Sequence, residues 1–60
     1  MIAPPPPEAS PQQVAIFIEE VLRDLSEVAA IHGHRGLATT LIVAALEAAR
    51  ASAGEPDTKT

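Results

Sequence analysis

The chain has 60 residues and no cysteine, so it forms at most one small domain, without disulfides or thiolate metal sites. Eight acidic residues against four basic ones give a formal net charge of −4. Nucleic-acid backbones and anionic lipid surfaces would therefore be repelled on average, and we expect neither nucleic acid nor a membrane as a partner. Chains of this size usually need a partner, a metal or a disulfide to complete their core.

Residues 1–9 are predicted to be a proline-rich, disordered tail. Four consecutive prolines at positions 4–7 favour polyproline II, which is extended and solvated. Such a run can be a ligand for a proline-recognising domain, but one short tract favours a tail or a stiff spacer. The segment has neither the basic nor the apolar region of a secretory signal, so we expect a cytoplasmic protein.

A first helix, at about residues 11–32, has a well-marked start. Ser10 is suited to be the N-cap, Pro11 the first helical residue, and Gln13 completes a capping box with Ser10. Apolar positions then recur at intervals of 4, 3, 4, 3 and 4, which is typical of helical bundles and coiled coils. This stripe consists of Val14, Ile18, Val21, Leu25, Val28 and His32, and it is widened by Leu22 and Ala29.

The opposite side of this helix is predicted to face water. It carries Glu19, Glu20, Arg23, Ser26 and Glu27. Residues four apart on a helix are neighbours, so Arg23 is expected to form ion pairs with both Glu19 and Glu27. Ile16 and Ile31 also point away from the stripe, either as ordinary exposed apolar residues or as parts of a second contact surface.

A short glycine-containing connection separates the two predicted helices. Gly33 suits the left-handed conformation that follows a helix end. A connection this short makes the helices antiparallel neighbours. Helix 2 is predicted at about residues 37–53 and is closed by Gly54 and Pro56. Residues 55–60 are predicted to be a polar, disordered tail.

Helix 2 has too few polar residues to form a broad side that faces water. Seven of its 17 residues are alanine, which allows helix backbones to approach closely. At 100° per residue, apolar side chains cover two adjoining sides and leave a narrow polar sector. That sector holds Thr39, Thr40, Glu47 and Arg50. We therefore expect the helix to pack on two sides, and its length and its two charges disfavour a membrane span.

Few side chains could carry chemistry. His32 and His34 are the only imidazoles, and two histidines fall short of the three or four ligands of a metal site, so we expect no metal. No serine has a histidine and a carboxylate gathered around it, and so small a fold has no deep pocket, which predicts a protein that is not an enzyme and has no cofactor. His32, at the end of the stripe, could disfavour association when it is protonated near pH 6.

The sequence thus predicts an all-α fold, an antiparallel helical hairpin over residues 10–54 that pairs with a second copy into a four-helix bundle. The predicted function is that of a small protein–protein interaction module, an adaptor or regulator. The residues expected at the interface are Val14, Ile18, Val21, Leu25, Val28, Leu37, Leu41, Ala44, Ala45 and Ala48.

Other interpretations stay open. The chain could be an accessory subunit that folds as helix 2 docks onto a larger complex. A nucleic-acid-binding hairpin is disfavoured by the charge and by the scatter of its basic residues. Those residues are Arg23, Arg35, Arg50 and Lys59. The sequence does not separate a dimer from a tetramer, or parallel from antiparallel pairing of hairpins.

Overall fold

The computed structural model describes residues 3–54 and consists of two helices. Helix α1 spans Pro11–Ile31 and helix α2 spans Arg35–Ser52, and the two pack against each other along their length. No strand occurs within these residues. The predicted helical hairpin is therefore confirmed, whereas residues 1–2 and the predicted tail at 55–60 lie outside the described part.

The start of α1 has the predicted capping box. The Ser10 hydroxyl accepts a hydrogen bond from the Gln13 backbone N–H at 3.1 Å, and the Gln13 Oε1 accepts one from the Ser10 N–H at 2.9 Å. Pro11 occupies the first helical position, where its missing N–H leaves no intrahelical bond unmade. The reciprocal bonds fix where the helix begins.

The segment before α1 is less extended than the proline run predicts. The Ala9 N–H donates to the Pro6 carbonyl at 3.0 Å, which closes a turn over Pro7 and Glu8. Proline at the second position of a turn is favoured because its φ is already set. The chain thus bends directly before the helix cap.

The connection between the helices is a Schellman motif. The His34 N–H donates to the Ala29 carbonyl at 2.8 Å, and the Gly33 N–H donates to the Ala30 carbonyl at 3.1 Å. Gly33 has a φ of 85°, the left-handed conformation predicted for it. His32 is the C-cap residue of α1. Carbonyls at the end of α1 are satisfied within the turn itself.

Helix α2 begins two residues earlier than the predicted position 37. His34 is its N-cap residue and makes no side-chain capping bond, while the His34 carbonyl accepts from the Ala38 N–H at 2.9 Å. Gly36 lies in the first turn of α2, because the Schellman motif already turns the chain at Gly33. The predicted stop is confirmed at Gly54, which has a φ of 81°.

Small side chains form the contact between α1 and α2. The buried residues within positions 3–54 are Ala15, Ser26, Ala29 and Ala45. Side-chain size sets the distance between packed helix axes, so these residues allow a close approach. The stripe of larger residues lies beside this contact and not at its centre.

Ser26 corrects one prediction, since it was expected to face water. It is only 6% exposed, and its hydroxyl donates to the Arg23 carbonyl at 2.7 Å. A serine can enter a helix contact in this way because it is small and its hydroxyl is satisfied within its own helix.

The ion pairs confirm one prediction and correct another. Arg23 Nε lies 3.0 Å from Glu19 Oε2. Among residues 3–54 no pair joins Arg23 to Glu27, because the guanidinium is turned toward Glu19, the position nearer α2. A pair not predicted joins Arg50 to Glu47 at 3.5 Å. All of these are surface pairs with little effect on stability.

Neither helix in the described part is long and apolar enough to cross a membrane.

Replacement of Ser10 by alanine is expected to lower the free energy of unfolding by about 1 kcal/mol, because the capping box is lost. Urea unfolding followed by far-UV circular dichroism at fixed protein concentration measures this. Thr39→Ala is the matched control, since that exposed hydroxyl bonds only to the Arg35 carbonyl of its own helix at 3.0 Å. Equal stability of the two variants would contradict the assigned role of the cap.

Replacement of Ala45 by leucine is expected to destabilise the hairpin by about 1–3 kcal/mol, because the larger side chain forces the helices apart. Ala30→Leu makes the same exchange at an exposed position of α1 and serves as control. The same urea titrations report both. An Ala45→Leu chain as stable as the control would show that the close contact is not required.

Candidate interaction face

One side of the hairpin presents large apolar side chains to solvent. We call it the open face and define it by Ile18, Leu25, Val28 and Leu37, which are 42%, 42%, 53% and 54% exposed. Three of these belong to the stripe of α1, and the fourth begins the apolar side of α2. Together they expose an area on the order of 400 Å², comparable to the largest apolar patch of a typical monomer.

The two helices contribute to the same side of the molecule. At 100° per residue, the stripe of α1 lies to one side of the buried positions Ala15 and Ala29, and Leu37 lies to one side of Ala45 on α2. Residues of both helices line one groove, so these two sides of the helices face the same way. The groove has a volume of about 480 Å³ and lies at the turn end of the hairpin. Its lining residues are Leu25, Val28, Ala29, His32, His34, Leu37 and Leu41.

The groove exists because small and large residues alternate at this end of the hairpin. Ala29 is buried at its floor, and the larger side chains of Leu25, Val28 and Leu37 stand above it on both helices. Its lining is apolar apart from the two imidazoles. No carboxylate, guanidinium or ammonium group from residues 3–54 lines it.

Charged side chains gather on the other side of the hairpin. A second, smaller hollow there has a volume of about 330 Å³, and four of its five lining residues are polar or charged. Its residues are Arg23, Asp24, Ser26, Glu27 and Ile42. The hairpin therefore has an uncharged face and a charged face, with the helix contact between them.

Nine of the ten residues predicted for assembly are accessible. Besides the four that define the open face, a half-buried set lies on the same two helices. This set consists of Val14, Val21, Leu41, Ala44 and Ala48. Ala45 is the exception and is corrected here, because its exposed fraction is 0%. Its side chain lies in the contact with α1 and is unavailable to a second copy.

Helix α2 also exposes apolar side chains away from the open face. Ile42 and Leu46 are 38% and 52% exposed, and Val43 is 56% exposed. Their positions around the helix leave the narrow polar sector that the sequence predicts. On α1, Ile16 and Ile31 are exposed as well, as expected.

Sequence reasoning missed the residues that join the helices. Ala15 was assigned no role and Ser26 was placed on the water-facing side, although both are buried. A signal was present in the spacing, since Ala15, Ser26 and Ala29 share one side of α1 at helical period and all are small. A search for large apolar residues alone does not detect this row of small residues.

The groups with chemical potential are few in the described residues. His32 and His34 are exposed at the rim of the groove. No group of three or more possible metal-ligating side chains lies together between residues 3 and 54. Each buried side-chain polar atom in that span has a hydrogen-bond partner. The distinctive feature of this surface is apolar area.

No family model, curated protein or solved structure matches this chain. The open face is therefore interpreted from its own residues and geometry.

Proposed function

We propose that the protein is a small, non-catalytic interaction module of the cytoplasm that works as a homodimer, with two hairpins paired through their open faces in a four-helix bundle. The observation that carries this proposal is the exposure of Ile18, Leu25, Val28 and Leu37 on one uncharged side. Apolar area of this extent favours removal from water by a second surface.

The size of the open face suits such a dimer. Two copies of the patch, with the half-buried residues around it, bring the buried area to about 1,000 Å², the lower limit for a specific interface. A bundle is also the architecture in which helices bearing a stripe spaced by four and three residues bury that stripe. A second hairpin thus supplies the layer that one hairpin lacks.

The distribution of charge supports self-association despite the net charge of −4. Copies of like charge repel one another, but the repulsion is weak when the charges lie far from the contact and are screened by salt. Here the charged groups Arg23 and Glu27 line the hollow on the opposite side of the hairpin. In a dimer they would remain outside, where an adaptor or regulator would present them to its protein partner.

The accessory-subunit hypothesis has an observation of its own in its favour. Ile42, Val43 and Leu46 of α2 are exposed away from the open face, so pairing of hairpins through that face leaves them uncovered. A larger complex that received α2 in a groove would cover them. A nucleic-acid-binding role remains disfavoured by the net charge.

Replacement of Leu25 by glutamine is expected to weaken the dimer about a hundredfold or more, since each copy loses at least about 1.5 kcal/mol of apolar burial. Light scattering on a sizing column, over a dilution series, measures the change. Leu46→Gln is the matched control, because that leucine is at least as exposed, at 52% against 42% for Leu25, but lies on the other side of α2.

Three outcomes distinguish the proposals. A dimer lost in Leu25→Gln and kept in Leu46→Gln supports pairing through the open face. A dimer lost only in Leu46→Gln would move the interface to the other side of α2. An unaltered chain that stays monomeric at about 100 μM, a concentration well above the dissociation constant of ordinary specific dimers, would refute the homodimer. The accessory-subunit hypothesis would then remain.

A further inference from the structure

The groove at the turn end of the hairpin has an apolar lining, and no side chain from residues 3–54 fills it. We infer that it receives Ile18 of a second copy, with the two α1 helices antiparallel across the dimer. This inference rests on the proposed homodimer and adds to it a direction of pairing and a register.

The register follows from the stripe itself. Its intervals of 4, 3, 4, 3 and 4 read the same in both directions, and their centre lies at position 23. When two such helices cross antiparallel about that centre, Ile18 of each lies level with Val28 of the other, and Val21 with Leu25. A two-fold axis that relates residue i of one copy to residue j of the other also relates j to i, so each of these contacts occurs twice.

Ile18 is the residue of the stripe best placed to enter the groove. It lies three residues after the buried Ala15, so among the stripe positions it is turned furthest toward α2. Its own hairpin leaves it 42% exposed. Level with it in the antiparallel register is Val28, a groove residue, and beside Val28 lies the small Ala29 at the groove floor. The volume of about 480 Å³ is ample for a branched aliphatic side chain.

Charges at the two ends of the hairpin favour the same direction. The turn end carries Arg35 next to the two histidines, and the opposite end carries Glu8, while Arg50 at that end is paired with Glu47. Antiparallel pairing brings Arg35 of one copy toward Glu8 of the other. Parallel pairing would bring the two turn ends together, with like charges adjacent.

Directed disulfide formation tests the inference cleanly, because the chain has no cysteine of its own. An Ile18→Cys chain and a Val28→Cys chain are unfolded together, refolded and oxidised mildly, and mass spectrometry separates the mixed product from the two symmetric ones. In the antiparallel dimer two Ile18 positions are about 15 Å apart along the helices at 1.5 Å per residue. That exceeds the Cα separation of about 4.4–6.8 Å that a disulfide spans.

The matched control is an Ile16→Cys chain mixed with an Ile31→Cys chain. These positions are exposed and nearly level in the same register, but they point away from the open face. Random pairing of equal amounts would give as much mixed product as the two symmetric products together. For Ile18→Cys with Val28→Cys, the mixed product is expected to exceed the two symmetric products together severalfold. The control pair is expected to give no such excess. Circular dichroism of each reduced variant confirms that it is helical.

The outcomes separate the inference from the proposed function. A cysteine-free chain that is dimeric by light scattering, with the mixed disulfide in excess, supports both. The same dimer without that excess, or with the symmetric Ile18→Cys product predominant, overturns the groove assignment and leaves the homodimer standing. A cysteine-free chain that is monomeric overturns both.

Discussion

The close contact between α1 and α2 is the constraint on which the rest of the structure depends. It is made by small side chains, Ala15, Ser26 and Ala29 against Ala45. Such residues bring the helix backbones together and gain dispersion contacts, but each of them removes little apolar area from water. The larger residues of both helices consequently stay half-buried or exposed, and the hairpin buries none of its large side chains completely within the described residues.

A hairpin of two helices is a single layer, and the Cα trace extends only 14 Å in its thinnest direction. Stable domains are built from two or more layers that bury a shared core. Ile18, Leu25 and Val28 lie on one broad side of this layer, where no part of the described chain covers them. The proposed dimer is the arrangement in which a second, identical layer completes the core, so folding and association would be coupled in this protein.

Charge is distributed so that little electrostatic repulsion opposes the association of two copies. Within the described residues the groove and the stripe contain no permanently charged group, while Arg23 and Glu27 line the hollow on the other side. An acidic protein can associate through an uncharged face because solvent and salt screen the distant charges. The same separation leaves an acidic outer surface with exposed Leu46 and Ile42, which is the part available to a further protein partner.

The sequence by itself determined where α1 begins, where the two helices end to within a residue, and which residues form the stripe. Ser10, Gln13, Gly33 and Gly54 act within a few residues of themselves through hydrogen bonds and backbone conformation, so their effects can be predicted locally. The tertiary structure alone decided which side of each helix meets the other. Ser26 and Ala45 are buried in the helix contact with Ala15 and Ala29. The rotation of each helix about its axis depends on how closely the two backbones can approach. Both helix surfaces together set that distance, so the pattern of one helix alone does not predict it.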